Sequence, residues 1–288
     1  MTPDSPLFRA LELYGTQLPH RGQWWLHAHL RKWCGAELNV ELEVFRQGLR
    51  WRLNPADLVH QNLFWLGTDD QWDLFHLKRF LKPGDVLFDV GANFGFYSLT
   101  LANYLSRQVC IHAFEPNPPT HGRLLNNIAL NQLGAVITAH RLGLSDTRGT
   151  GQLHADPATT GGLNSGAASL DDHRPGVAVP LLTLDDFCGE QHITRLDFVK
   201  LDVEGFEERV LRGAARSLAK FKPILCIELN PSTLTRQNSG VKGVTDLLGQ
   251  FGYELFVTHR DKLEPLRQLP TAGQYLNALG FPTNQLPG

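Results

Sequence analysis

From Val86 onward, short apolar runs alternate with amphipathic stretches, and this alternation restricts the chain to a small set of folds. Val86–Val90, Cys110–Phe114, Val136–Leu142, Asp197–Leu201, Pro223–Leu229, Tyr253–Val257 and Gln274–Gly280 read as strands of one sheet, and Val177–Leu182 as a further strand. Near-continuous apolar runs such as Val86–Val90 mark strands covered on both faces, as parallel strands are. Between them, Phe96–Leu105 reads as a helix. A second opens at Asn117, with Pro118 and Pro119 in its first turn and Leu124, Leu125 and Ile128 inward. A third spans Phe206–Leu218, with Phe206, Val210, Leu211, Ala214 and Leu218 inward. The expected architecture is α/β: a Rossmann-like, doubly wound, mostly parallel seven-stranded sheet.

Residues 1–80 read as a separate accessory layer ahead of a main domain over 81–288. Helical stretches are expected at Leu7–Tyr14 and Gln23–Cys34, and a hairpin from Leu38–Phe45 and Leu49–Leu53 about Arg46-Gln47-Gly48. Asp69–Leu81 has helical spacing, with Trp72, Phe75, Leu77 and Phe80 as its apolar set, and Lys82-Pro83-Gly84-Asp85 ends it. Trp24, Trp25, Leu26, Leu30 and Trp33 form an apolar face expected to pack on its own domain. Thr147–Val177, rich in Gly, Ser, Asp and Ala, reads as a long mobile loop.

With 288 residues the chain can bury a sizeable core, and its net charge of -2 carries no strong nucleic-acid signal. Cys34, Cys110, Cys188 and Cys226 form no C-x-x-C pair, and Cys110 and Cys226 sit in apolar runs as small buried residues. No secretory leader and no run of about 20 apolar residues is present, so a cytoplasmic protein without a transmembrane segment is expected. A homodimer is the base-rate expectation for assembly.

The central chemical signal is Phe88-Asp89-Val90-Gly91-Ala92-Asn93-Phe94-Gly95, followed by Phe96-Tyr97-Ser98. A strand ends in an acid, a glycine turn follows, and a helix begins with free amide donors. The spacing is neither G-x-G-x-x-G nor a P-loop, and the turn carries no cation to meet phosphates. An acid in that place suits a ligand with an ammonium or sulfonium charge. The second signal is Glu115-Pro116-Asn117 at the end of the next strand, where a carboxylate can accept both hydroxyls of a ribose. Together they describe a site for an adenosine with a cationic, phosphate-free tail, such as S-adenosylmethionine.

Two further groups stand at strand ends. Leu144-Ser145-Asp146 is placed to form a wall and a hydrogen bond for adenine, or a simple tight turn. In Val199-Lys200-Leu201-Asp202-Val203-Glu204-Gly205, Lys200 interrupts an apolar strand and two acids follow; Glu228 and Asn230 end the next strand. Asp202, Glu204, Glu228 and Asn230 are candidates to bind substrate hydroxyls, to act as a base, or to hold magnesium, the last not favoured. Alternatively Lys200 neutralises Asp202 or Glu204 in a structural network.

Asp89–Gly95, Phe114–Asn117, Leu144–Asp146, Leu182–Asp186 and Lys200–Glu207 resemble the FkbM family of methyltransferases, with the likeness running from about Leu81 to Asn230. The resemblance implies a class I methyltransferase fold. It also implies transfer of a methyl group from S-adenosylmethionine to oxygen, on a small-molecule or glycan hydroxyl. It places Asp89, Gly91, Asn93 and Gly95 along the methionine part of the cofactor, Glu115 on the ribose, and Gly162–Gly166 over the acceptor. Members often carry a histidine where this chain has Asn230, so any base falls to Asp202, Glu204 or Glu228. The competing expectations are a cofactor-fold binding protein without catalysis, a nicotinamide oxidoreductase, and a protein or nucleic-acid methyltransferase.

Overall fold

The computed structural model describes residues 39–67, 70–155, 168–170 and 176–287. The expected helices Leu7–Tyr14 and Gln23–Cys34, the Trp24–Trp33 face and the Gly162–Gly166 segment lie outside the described residues. The chain forms two compact units, Met1–Gln71 with Ala155–Ala167, and Trp72–His154 with Ala168–Gly288.

In the first unit, β1 (Leu42–Arg46) and β2 (Leu49–Leu53) pair as the expected antiparallel hairpin. Gln47 and Gly48 both take positive φ, 52° and 77°, the two-residue turn whose twist matches its strands. α1 (Leu58–Gln61) starts at Asp57, whose carboxylate caps the Val59 amide, and runs into a π-helical turn at Asn62–Leu66. Trp51, Phe64 and Trp65 are buried, and the Arg46 guanidinium donates to the Phe64 carbonyl at 3.1 and 3.2 Å. These aromatics are core residues.

The second unit begins within α2 (Gln71–Leu77), which is shorter than the expected Asp69–Leu81 helix. Trp72 and Phe75 do not face inward: they are 41% and 49% exposed, while Leu74 and Leu77 are buried. The reason is polar. Asp73 and His76 turn inward, Asp73 to Thr258 and Asn277 and His76 to the Arg260 carbonyl, which rotates the two aromatics out.

Strands β3 (Asp85–Val90), β4 (Val109–Phe114) and β5 (Ile137–His140) follow, then β6 (Gly143–Leu144), β7 (Gly149–Ala155), β8 (Ala168–Leu170) and β9 (Val177–Leu182). The rest are β10 (Phe198–Leu201), β11 (Ile224–Leu229), β12 (Tyr253–His259), β13 (Lys262–Pro265) and β14 (Leu276–Pro282). The main sheet has the order β13-β12-β14-β11-β10-β3-β4-β5. Pairing is parallel from β11 through β10, β3 and β4 to β5, and antiparallel where β14 inserts between β11 and β12. This is the class I methyltransferase arrangement. All seven expected strands are present, and β13 adds an eighth at the edge.

The Thr147–Val177 segment is not simply a loop. It contains β7 and β8 of a second sheet, ordered β6-β9-β7-β8, in which β7 pairs antiparallel with β9 from Gly149–Leu181 to Leu153–Val177. The polar composition conceals strands whose hydrogen bonds are made with a distant segment.

The remaining helices are α3 (Phe96–Tyr104), α4 (Pro118–Leu130), α5 (Leu184–Glu190), α6 (Glu207–Arg212), α7 (Ala215–Phe221), α8 (Pro231–Arg236) and α9 (Val241–Gln250). On α4, Leu124 and Ile128 are buried one turn apart, whereas Leu125, rotated off that face, is 47% exposed. The expected Phe206–Leu218 helix is two helices. It breaks at Gly213, where a Cβ would lie 2.1 Å from the Ser145 carbonyl oxygen, so backbone presses on backbone. Its inward set is as expected: Phe206, Val210, Leu211, Ala214 and Leu218 are all buried. Cys226 is buried, but Cys110, on the outward face at the start of β4, is exposed. Among the described residues no helix is long and apolar enough to cross a membrane.

Candidate active site

The site is assembled at the carboxyl ends of β4, β3, β10 and β11 and the amino end of the antiparallel β14, where a doubly wound sheet presents its loops. At β3, the Gly91 and Ala92 amides both donate to the Phe114 carbonyl, at 3.0 and 2.9 Å, folding the turn over the end of β4. Gly91 has φ 80°, and a Cβ there would lie 1.8 Å from the Asp202 carbonyl oxygen. The glycine is thus demanded by close approach to the chain's own β10 end. Gly95, at φ 96°, then starts α3.

Asp89 is buried and accepts from the Ser98 amide at 3.0 Å and the Ser98 hydroxyl at 2.5 Å, so it braces the first turn of α3. Burial pushes its carboxyl up, opposed by Ser98 and Lys200. Glu115, also buried, accepts the Asn93 amide on one oxygen and the Asn117 amide on the other, both at 2.9 Å. Burial lifts its carboxyl to about 7 despite those two donors. Asn117 takes the helix-capping place of α4, but its side chain makes no capping bond; Glu115 receives its amide instead. Pro116, between them, is partly exposed.

Phe96 and Tyr97 are buried. The Tyr97 ring lies under the Lys200 ammonium, with Nζ 5.0 Å from the ring centre. Leu144 belongs to the main core. Ser145 is fully buried, its amide donating to the Leu182 carbonyl and its hydroxyl to Asp146 Oδ1, each at 3.0 Å.

At β10, Lys200 is 2% exposed, pairs in register with Asp89 on one side and Cys226 on the other, and reaches Asp202 Oδ2 at 3.1 Å. The structure therefore contains the Lys200–Asp202 pair that the sequence left as one alternative. The turn beyond it is shaped by Glu207, whose Oε1 accepts the Val203 and Gly205 amides at 3.0 and 3.2 Å. Glu204 sits in this turn at φ 53°.

The buried Glu207 and the half-buried Glu204 and Glu228 crowd here. Desolvation and neighbouring carboxylates raise Glu204 to about 8 and Glu228 to about 9, while desolvation, against its own backbone donors, leaves Glu207 at about 7. One buried carboxyl oxygen of Glu207 and one of Glu228 have no hydrogen-bond partner. Asn230 is set apart from this group: its Oδ1 accepts the Ser232 amide at 3.1 Å and caps α8. Among the described residues, no three His, Cys, Asp or Glu side chains converge as metal ligands.

Sequence reasoning missed two features. Glu207 lies within a motif that was noticed, but its turn-shaping role is visible only in three dimensions. The other is a cavity of about 1040 Å³ at the same end of the sheet, beside β12, β13 and the start of β14. Asp73 forms part of its wall, accepting from Thr258 Oγ1 at 2.5 Å and Asn277 Nδ2 at 2.9 Å. These contacts join residues about two hundred positions apart, and no local signal marks them.

Residues 89–255, more than half of the chain, match the family model described as the methyltransferase FkbM domain. The chain belongs to the FkbM methyltransferase family. This FkbM domain is 31% identical over 160 residues to the 31-O-demethyl-FK506 methyltransferase FkbM of Streptomyces tacrolimicus, an alignment covering 46% of this chain and 60% of that one. It is 28% identical over 170 residues to the hexuronic acid methyltransferase AglP of Haloferax volcanii, covering 58% and 66%. The chain thus spans about three fifths to two thirds of the length of these relatives. Among solved structures, an FkbM methyltransferase from Methylobacillus flagellatus superposes with a TM-score of 0.46 at 18% identity, covering 70% of this chain and 44% of that chain. Asp89, Glu115, Lys200, Asp202, Glu204, Glu207 and Glu228 all lie inside the matched FkbM domain, whereas the described cavity-lining residues, Asp73 and 257–277, lie outside it.

Proposed function

We propose that this FkbM-family chain transfers a methyl group from S-adenosylmethionine to a hydroxyl oxygen of a sugar, glycan or secondary-metabolite acceptor. One observation carries the reading. Asp89 and Glu115 stand at the ends of adjacent strands, flanking a glycine turn that holds no cation, while the half-buried Glu204 and Glu228 crowd beside the Lys200 ammonium, with Arg236 also acting on Glu204. Burial first, and then neighbouring carboxylates, lift these acids to about 7, 8 and 9, so the place is short of positive charge. A ligand with sulfonium and ammonium charges relieves that shortage, and one with phosphates does not. The residues therefore fit the cofactor.

When bound, the sulfonium supplies the methyl group. On this reading Asp89, Gly91, Ala92, Asn93 and Gly95, with Phe96, Tyr97 and Ser98 at the head of α3, line its amino-acid end. Glu115 accepts the ribose hydroxyls, with Pro116 and Asn117 fixing the edge of that subsite. Leu144, Ser145 and Asp146 form the adenine wall.

Displacement at a methyl group needs alignment of nucleophile and leaving group more than strong base catalysis. Lys200 holds Asp202 in place, and Glu207 fixes the turn that carries Glu204. Asp202, Glu204 and Glu228 are the acids available to take the acceptor's proton, and Glu204 and Glu228, lifted to about 8 and 9, are raised toward the range that suits that task. Asn230 caps α8 and has no proton-accepting role. Incubating the protein with labelled S-adenosylmethionine and a panel of hydroxylated acceptors tests the reading. Label should reach an acceptor oxygen in the native protein and fall sharply in Asp202→Asn; transfer only to nitrogen, or none at all, would overturn it.

A further inference from the structure

The cavity beside β12–β14 adjoins the acids through the sheet itself. Asp202 and Glu228 each stand one residue beyond the paired Leu201 and Ile227, at the same level on neighbouring strands. Glu228 lies directly opposite Asn277 on β14. Asn277 donates to Asp73 in the cavity wall, and Thr258 on β12 donates to the other Asp73 oxygen. A polar row thus runs from the β10 end, across β11 and β14, into the cavity. Two strand spacings, about 10 Å, separate the ends of that row at Asp202 and Asn277.

The cavity's volume exceeds what one small ring fills and suits a ligand of drug or disaccharide size. Its lining combines hydrogen-bonding side chains, Asn277 and Gln268 among them, with the ring of Tyr275, which is 72% exposed. An accessible aromatic face beside amide groups matches a ring that has C–H faces and hydroxyl edges. Its formal charges are the acids Asp73 and Glu264 against Arg267. That balance disfavours a carboxylate-bearing ligand.

We propose that this cavity is the acceptor site and that it takes a neutral polyhydroxylated ring, a glycosyl unit, in preference to a uronate. The inference rests on the methyltransferase reading above, and adds where the acceptor lies and which charge it bears. The position of the cavity outside residues 89–255 agrees with it, because the choice of acceptor is then made by segments that the family model does not share.

Saturation-transfer NMR tests it, using methyl β-glucoside, methyl β-galactoside and methyl α-rhamnoside as probes and glucuronate as the anionic comparison. The native protein is measured with S-adenosylhomocysteine present, and the affinity for S-adenosylhomocysteine is measured separately by calorimetry. At least one neutral glycoside should bind, more tightly than glucuronate. Tyr275→Ala, at an exposed position that does not threaten the fold, should weaken that glycoside by about tenfold while leaving S-adenosylhomocysteine affinity unchanged. Gln268→Ala should weaken it less. Intact S-adenosylhomocysteine binding with no glycoside binding, with glucuronate preferred, or with an unaffected Tyr275→Ala variant would overturn the acceptor assignment alone. Failure to bind S-adenosylhomocysteine would instead remove the reading beneath it, and the acceptor assignment with it.

Discussion

Lys200 Nζ lies 3.1 Å from Asp202 Oδ2, with the lysine almost wholly buried and the aspartate side chain 38% exposed. Lys200 also lowers the carboxyls of Asp89, Glu204 and Glu228 through its charge. It is the ammonium around which the acidic end of the sheet is organised. Replacing it takes that charge from Asp89 and Glu228 and leaves Glu204 with the Arg236 guanidinium, at a cost that grows with their burial. Lys200→Met should lower stability by about 1–3 kcal/mol, read by urea unfolding. An unchanged midpoint would show that the acids are neutralised by protonation alone.

Glu115 binds the turn before α3 to the start of α4 through two backbone amides, and on the proposed reading it also receives the ribose. Glu115→Ala should weaken S-adenosylhomocysteine by about 1–3 kcal/mol, the loss of charge-assisted hydrogen bonds. Calorimetric titration of the variant checks this. Unchanged affinity would mean that the ribose sits elsewhere.

The acids make stability pH-dependent in a defined direction. Glu115, Glu204, Glu207 and Glu228 are raised to about 7, 8, 7 and 9, so the folded state binds their protons more firmly than the unfolded chain does. Their contribution is fully present below the ordinary carboxylate range and is lost as pH rises through the folded values. Thermal melts of the ligand-free protein should therefore show Tm declining from pH 6 to pH 9. Glu228→Gln, which stays neutral, should flatten the upper part of that decline. A Tm that rises over this range would contradict the charge shortage inferred for the site.

Gly213 separates α6 from α7 because the Ser145 carbonyl occupies the space a side chain needs. Gly213→Ala should destabilise the fold by about 1–3 kcal/mol, since neither partner is a flexible side-chain end. The same unfolding measurement decides it, and a neutral result would show that the two segments separate easily.

The chemistry placed along single strands was legible in the sequence, and the chemistry made between distant strands was not. Asp89, Gly91 and Glu115 could be read because strand, turn and helix follow one another within a few residues, so local spacing sets their geometry. Lys200 is legible as an anomaly, a cation in an apolar strand, but its pairing with Asp202 and not Glu204 is set by the side-chain geometry at the strand end. β7 and β8 were hidden because Gly, Ser and Thr become strands there through pairing, β7 with β9 and β8 with β7. The Asp73–Thr258–Asn277 cluster was hidden because its members come from one helix and two remote strands. That same cluster turned Trp72 and Phe75 outward, against a periodicity that assumed only apolar residues face in.

The central claim is that the acid-flanked turn at Gly91–Gly95 binds S-adenosylmethionine and not a phosphate-bearing nucleotide. Calorimetric titration of the purified protein with S-adenosylhomocysteine, with NADH as the control, tests it most directly. Affinity of order micromolar for S-adenosylhomocysteine, about −8 kcal/mol, and none for NADH is the predicted result. Binding of NADH alone, or of neither ligand, would contradict the account.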